Sequence, residues 1–86
     1  MRFAANVEVR LRPGIADPES ATIERALPAL GFDDVHELAT GRSFRFEVEA
    51  DSPEAARARA EELAGRLLAN PVMEDATVSV SEPERG

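Results

Sequence analysis

The sequence predicts an α+β fold in which two helices cover one face of an antiparallel sheet. Three segments alternate apolar and polar residues, as strands with one buried face do. Two further segments begin with proline and repeat apolar residues at helical spacing. With a weaker strand between the helices, the order becomes β-α-β-β-α-β, which is typical of a ferredoxin-like sandwich.

The predicted strands differ in how clearly they alternate. The first covers residues 3–11 and ends at Pro13-Gly14, the third covers residues 44–50, and the last covers residues 76–81. The second, over residues 33–39, is weak because Val35 and Leu38 break the alternation, which a β-bulge would explain. The outer face of this sheet is polar and nearly balanced in charge.

Each helix has a recognisable start and end. Asp17-Pro18 opens the first, and Gly31 is placed to end it in a left-handed conformation. Pro28 cannot donate a backbone hydrogen bond, so we expect a kink or a distorted last turn there. Ser52-Pro53 opens the second helix, which stops at Asn70 because Pro71 disfavours a helical residue before it.

Composition limits the classes of function. Eighty-six residues form one predicted domain, 1–86, with residues 81–86 as a loose tail. The net charge of −7 repels nucleic acid, and no apolar run is long enough to cross a membrane. The N-terminus lacks the apolar core of a signal peptide, so a cytoplasmic location is expected. A chain this short has a marginal core, which favours association with a partner.

No set of residues indicates catalysis. The chain has no cysteine and one histidine, His36, which we interpret as a surface strand residue. A zinc site or a catalytic base would need partners of suitable type, and Asp34 and Glu37 are weak support. No glycine-rich phosphate loop is present. We therefore predict no catalytic, cofactor-binding or metal-binding residue on this chain.

Residues Asn70, Pro71, Val72, Met73, Glu74 and Asp75 form a segment that we call the 70–75 segment. Adjacent residues of an extended chain point to opposite sides, so the two acids cannot converge on one metal or substrate atom. By the same rule, one of the two apolar residues leaves the helix-covered face. An exposed apolar residue beside an acidic rim resembles a protein interface. From the pattern alone, a docking segment and an ordinary strand start with solvated acids both stay open.

The same stretch, Leu67 to Asp75, resembles the C-terminal signature of the PurS family, the small subunit of phosphoribosylformylglycinamidine synthase. Further matching segments lie earlier in the chain, in the same order as in the family. They are Asp17-Pro18, Ala21 to Leu27, Leu30-Gly31-Phe32 and Gly41-Arg42. The resemblance covers nearly the whole chain. Departures are Pro28 within the first helix and the tail from Glu82 to Arg85.

The resemblance implies a subunit without an active site of its own. It implies a homodimer or higher oligomer that bridges a large synthetase subunit and a glutaminase subunit. Glutamine-derived ammonia then reaches formylglycinamide ribonucleotide in purine synthesis, with ATP and magnesium expected on the large subunit. Two other hypotheses are a ferredoxin-like regulatory module that binds a small ligand at its strand-to-helix connections, and a small enzyme that uses His36.

Overall fold

The computed structural model describes residues 1–82, which form a sheet with helices. The strands are β1 (Arg2–Leu11), β2 (Gly41–Glu49) and β3 (Glu74–Ser81). The helices are α1 (Pro18–Ala26), followed by a 3₁₀ turn at Pro28–Leu30, and α2 (Pro53–Leu63), followed by a π-helical turn at Ala64–Leu68. The predicted α+β class is confirmed.

The sheet has β1 at its centre, in the order β2-β1-β3, and both pairings are antiparallel. Asn6 of β1 lies opposite Arg45 of β2 on one side and Ser79 of β3 on the other. Among residues 1–82, the long edges of the sheet are therefore β2 and β3.

Helix α2 packs across all three strands and builds the core. Small residues at its contact face, Ala56 and Ala60, together with Ala64 in the turn that follows, are almost fully buried and allow the helix to lie close to the sheet. They pack on the inward side chains of the strands, which are Phe3, Ala5, Val7, Val9 and Val48. The alternating apolar residues that predict β1 therefore form one buried face.

The predicted second strand is wrong. Residues 33–39 form an irregular connection, in which Leu38 is half-buried and the others are exposed. Glu37 has a positive φ of 55°, which turns the chain out of an extended path. Val35 and Leu38 break the alternation, so this segment offers no continuous apolar face for the sheet to bury.

The prediction that both helices cover the sheet is wrong for α1. Ile23 is 39% exposed, Leu30 in the turn after α1 is 70% exposed, and Leu27 is half-buried. In a complete ferredoxin-like sandwich, the strand after α1 pairs in the sheet and returns that helix over it. Without that strand, the connection does not bring α1 back, and its apolar stripe stays largely in contact with solvent.

The chain is flat and extended for its length. It measures 50 × 34 × 14 Å and has a radius of gyration of 16.5 Å. A compact chain of this length has a radius of gyration of about 12 Å. The difference follows from α1 and its flanking connections lying away from the core.

The predicted starts of both helices and the end of the first are confirmed, whereas the helical turn after α2 ends at Leu68, two residues before the predicted Asn70. Asp17 caps α1 by accepting a hydrogen bond from the Ser20 amide at 3.1 Å. Helix α1 ends before Pro28, where Leu27 N–H donates to Glu24 O at 3.2 Å, and Gly31 is left-handed at φ 89°. The predicted tail 81–86 begins within β3 at Ser81, and residues 83–86 lie outside the described part of the chain.

Candidate docking segment

The 70–75 segment is a tight turn that leads from α2 into β3. Ala69 N–H donates to Ala64 O at 2.9 Å, which closes the π-helical turn. The Asn70 side-chain oxygen accepts from Val72 N–H at 2.9 Å, and Asn70 O accepts from Glu74 N–H at 2.8 Å. Asparagine favours such turns because its side chain can satisfy the backbone two residues later. Asn70 therefore sets the path of the chain after Pro71 ends the helix.

Glu74 is a fixed structural group. Its carboxylate accepts from the backbone N–H of Asn70 at 2.8 Å and from Arg42 Nη2 at 3.0 and 3.1 Å. The side chain is 17% exposed. The Asn70 N–H, and then the charge of Arg42, lower the pKa of Glu74 below its ordinary value, because both favour the ionised form.

Asp75 points away from Glu74, as the strand rule predicts. Its carboxylate accepts from Arg12 Nε at 3.1 Å, and half of its side chain is exposed. The two acids thus have separate arginine partners on separate sides of the chain. They do not form a paired catalytic site.

The two apolar residues of the segment are both exposed. Val72 is 77% exposed and Met73 is 42% exposed. Neither side chain is therefore buried on the helix-covered face, because β3 begins only at Glu74 and the alternation of a strand does not apply to a turn. Leu67, in the π-helical turn after α2, is also exposed.

Arg42 is the residue that sequence reasoning missed as a member of this site. It begins β2, 32 positions before Glu74, and its guanidinium carbon lies 5.6 Å from the centre of the Phe44 ring. The same Nη2 lies 3.4 Å from Leu68 O at the end of the π-helical turn. Only the resemblance to the family singles out the Gly41-Arg42 pair. Its contact with Glu74 depends on the sheet order, which spacing along the chain does not give.

His36 lies in the exposed connection 33–39, not in a strand as predicted. Within residues 1–82, no group of three or more histidine, aspartate or glutamate side chains is arranged to hold a metal ion. No helix in the same range is long and apolar enough to span a membrane.

Comparison with known proteins identifies the family. The family model for PurS, described as phosphoribosylformylglycinamidine (FGAM) synthase, matches residues 4–82. The phosphoribosylformylglycinamidine synthase subunit PurS of Methanothermobacter thermautotrophicus is 43% identical over 84 residues, which cover 98% of this chain and 99% of that protein.

Solved structures agree with the sequence match. The crystal structure of Methanocaldococcus jannaschii PurS, a subunit of formylglycinamide ribonucleotide amidotransferase, is 35% identical with a TM-score of 0.82, covering 95% of this chain and 99% of that one. A chain in the structure of PurLQS from Thermotoga maritima is 34% identical with a TM-score of 0.84, covering 93% of this chain and 98% of that one. The chain belongs to the PurS family of phosphoribosylformylglycinamidine synthase subunits.

Proposed function

We propose that this chain is the small subunit that joins an ATP-dependent synthetase subunit to a glutaminase subunit in phosphoribosylformylglycinamidine synthase. It contributes no catalytic group. It positions the two larger subunits, so that ammonia released from glutamine reaches formylglycinamide ribonucleotide. ATP and magnesium bind on the large subunit, and the complex works in the cytoplasm.

The observation that carries the proposal is the similarity to a chain of the Thermotoga maritima PurLQS structure, at a TM-score of 0.84 over nearly the full length of both chains. The shape of this protein supports it. A thin, extended protomer exposes more surface per residue than a compact one. Several apolar side chains are also exposed in α1, in the connection after it and in the 70–75 segment.

Positioning is a sufficient role for a subunit of this kind. Ammonia that escapes into water is diluted and protonated, so transfer between two active sites needs a closed and oriented junction. Holding reacting partners in fixed geometry replaces an encounter in solution with a step inside one complex. A small rigid protein can do this without contacting any reacting atom.

Within this proposal, the 70–75 segment is a docking surface for the chain's own dimer or for a larger subunit. Val72 and Met73 supply the apolar contact, because both lie exposed at a rigid turn. Asp75 is the acid that can steer a partner, since half of its side chain is exposed. Glu74 instead holds the turn in shape through Asn70 and Arg42.

The test is co-expression of this chain with the synthetase and glutaminase subunits of its own enzyme. Size-exclusion chromatography measures the complex, and amidation is assayed with glutamine or with ammonium salt as the nitrogen source. We expect glutamine-dependent turnover to need this chain, and ammonia-dependent turnover to need it less. Ammonia enters the synthetase from solution, so it does not require a docked glutaminase.

The ammonia-dependent reaction is the internal control for an active synthetase. If the two larger subunits form a complex and use glutamine equally well without this chain, the bridging role is wrong. If glutamine-dependent and ammonia-dependent turnover fall in parallel when the chain is left out, the chain acts on the synthetase itself and does not connect it to the glutaminase.

A further inference from the structure

Helix α1 is anchored by a polar contact at its start. Ser20 is 4% exposed, and it is the buried residue of this helix. The apolar stripe of α1 is largely in contact with solvent, since Ile23 is 39% exposed. A cavity of about 200 Å³ lies where the start of α1 meets the strands, lined by Glu19 of α1 and by residues of β1 and β2 that include Arg42. Apolar packing therefore contributes little to fixing the direction of this helix.

The anchor is the carboxylate of Asp17. It accepts hydrogen bonds from the Ser20 N–H at 3.1 Å and from the Ser20 hydroxyl, and these bonds cap the helix. The same carboxylate accepts from the Thr40 N–H at 3.3 Å and from the Thr40 hydroxyl at 3.2 Å. Thr40 lies 23 positions after Asp17 and directly before β2. One side chain thus begins the helix and also joins it to the start of a strand.

The contact with Thr40 is the polar link between α1 and the sheet. Among residues 1–82, the other hydrogen bonds of residues 17–32 stay within that stretch. The ion pairs of the same described range lie elsewhere in the chain. If the bonds to Thr40 were lost, α1 would be joined to the sheet mainly through the two connections that flank it.

The two flanking connections are suited to act as hinges. Gly14 precedes α1 and Gly31 follows it, and each has a φ of 89°. The surroundings of both glycines are open, because a Cβ atom added at either one would have no neighbour within 4 Å. Hinges are a few loop residues that absorb changes in φ and ψ. A rotation at these connections can therefore turn α1 without breaking a strand pair.

We propose that the contact between Asp17 and Thr40 is a conformational latch that fixes the direction of α1 relative to the sheet. With the latch closed, α1 has one orientation. With the latch open, α1 turns about its two connections as an intact helix, because the cap between Asp17 and Ser20 does not involve Thr40. Opening the latch changes where the exposed side chains of Ile23 and Leu30 lie relative to the sheet.

The surroundings of the latch allow it to open. Hydrogen bonds to a charged acceptor are stronger than those between neutral groups, which favours the closed form. Asp17 and Thr40 are both only half-buried, so water can solvate the carboxylate, the hydroxyl and the N–H group when they separate. The open form therefore does not leave a buried polar group without a partner. This inference goes beyond the proposed function and does not depend on it.

The distance between α1 and α2 tests the latch. The chain has no cysteine, so Glu24→Cys and Glu61→Cys provide one labelling site on each helix, both at exposed positions. Pulsed electron paramagnetic resonance of nitroxide labels measures the distribution of distances. Excess unlabelled chain is added, so that a labelled chain in any oligomer has unlabelled neighbours. We expect one narrow distribution when the latch residues are unchanged.

Thr40→Val removes the hydroxyl of the latch with little change in shape. We expect it to raise the population of the open orientation about 10-fold, which corresponds to the loss of one hydrogen bond to a charged group. Adding Asp17→Ser also removes the carboxylate that the N–H of residue 40 contacts, while serine remains a good N-cap for α1. The distance distribution should then broaden further.

Thr40→Ser is the rescue variant, since it keeps the hydroxyl and should keep the narrow distribution. Thr22→Val is the matched control, because it makes the same change on α1 at a hydroxyl that donates to Pro18 O at 2.9 Å, within the helix. Hydrogen exchange of the α1 amides is the second measurement, and a latch predicts that Thr40→Val leaves their protection close to that of the wild type.

Two results would overturn the latch. One is a distance distribution that stays unchanged both in Thr40→Val and in the double variant with Asp17→Ser. The other is a broader distribution in Thr40→Val that is accompanied by lost protection of the α1 amides, because the helix would then unfold and not turn.

Discussion

Arg42, near the start of β2, and Glu74, at the start of β3, form an ion pair beside the helical turn that follows α2. The Nη2 atom of Arg42 lies 3.0 and 3.1 Å from the two carboxylate oxygens of Glu74, which also accepts the Asn70 amide. One carboxylate thus holds the turn that presents Val72 and Met73. Glu74, the less exposed of the two acids in the 70–75 segment, thus positions the exposed residues Val72 and Met73.

The hydrogen bonds to Glu74, together with those to Asp17 at the start of α1, predict how the stability of the fold depends on pH. The Ser20 hydroxyl is the largest cause of the lowered pKa of Asp17, and the Asn70 amide is the largest cause for Glu74. Both carboxyls bind protons less readily when folded. Their contribution is therefore complete above the ordinary pKa values of about 3.9 and 4.3, and it is lost as pH falls through the lower folded values.

Chemical denaturation between pH 6 and pH 3 measures this effect. We expect the stability of the wild type to fall as pH decreases, and Glu74→Gln to reduce the slope, because glutamine does not titrate. Asp75→Asn is the control, since its exposed carboxylate contacts only Arg12. An unchanged slope in Glu74→Gln would mean that Glu74 does not hold the turn in solution.

The histidine hypothesis has a direct kinetic test. His36 lies in an exposed connection, so we expect His36→Ala to keep glutamine-dependent turnover of the assembled complex within about threefold, roughly 0.65 kcal/mol of barrier. The assay uses the complex, with assembly checked by size exclusion. A loss of about 100-fold without loss of assembly would give His36 a catalytic role.

Gly41 is expected to be required at the start of β2. A Cβ atom added there would lie 2.6 Å from Val9 O on the neighbouring strand, so the backbone would have to move. We expect Gly41→Ala to destabilise the protein by about 1–3 kcal/mol, as overpacked sites do. Thermal and urea denaturation measure it.

Gly65→Ala is the matched control for that substitution. Gly65 lies in the helical turn after α2, and an added Cβ has no neighbour within 4 Å. Because alanine favours helix over glycine, we expect stabilisation by about 0.5–1 kcal/mol. Equal effects of the two substitutions would contradict the close approach of Gly41 to β1.

The sequence predicts those parts of the fold that local rules decide. The strict alternation in β1 and the capping residues Asp17 and Ser52 act within a few neighbouring positions, and each element forms as expected. The strand predicted over residues 33–39 does not form, because Val35 and Leu38 break the alternation of apolar and polar residues. The exposed stripe of α1 shows a second limit, since helical spacing identifies an apolar face but does not say which surface covers it.

In the candidate docking segment, too, the sequence predicts the local turn but not the long-range contact. The turn at Asn70-Pro71 can be predicted, because proline excludes helix and asparagine favours turns. The role of Glu74 cannot, because its arginine partner comes from β2, 32 residues earlier. A contact of that kind depends on the order of strands in the sheet. The sequence pattern therefore assigned both acids to a solvated rim, although only Asp75 is as exposed as a rim residue.

The docking role of the 70–75 segment gives the last prediction. Val72 and Met73 are exposed at a turn that hydrogen bonds of Asn70 and Glu74 hold in place, so truncating either should leave the fold intact. We expect Val72→Ala and Met73→Ala to weaken assembly, and to lower glutamine-dependent turnover more than ammonia-dependent turnover. Asp75→Ala should weaken assembly more at low salt than at high salt, because salt screens exposed charges. Thr77→Ala, on the following strand, serves as a control with an exposed side chain outside the segment. If the three variants assemble like the wild type and keep both activities, the segment is only the connection into β3, and the partners contact another surface.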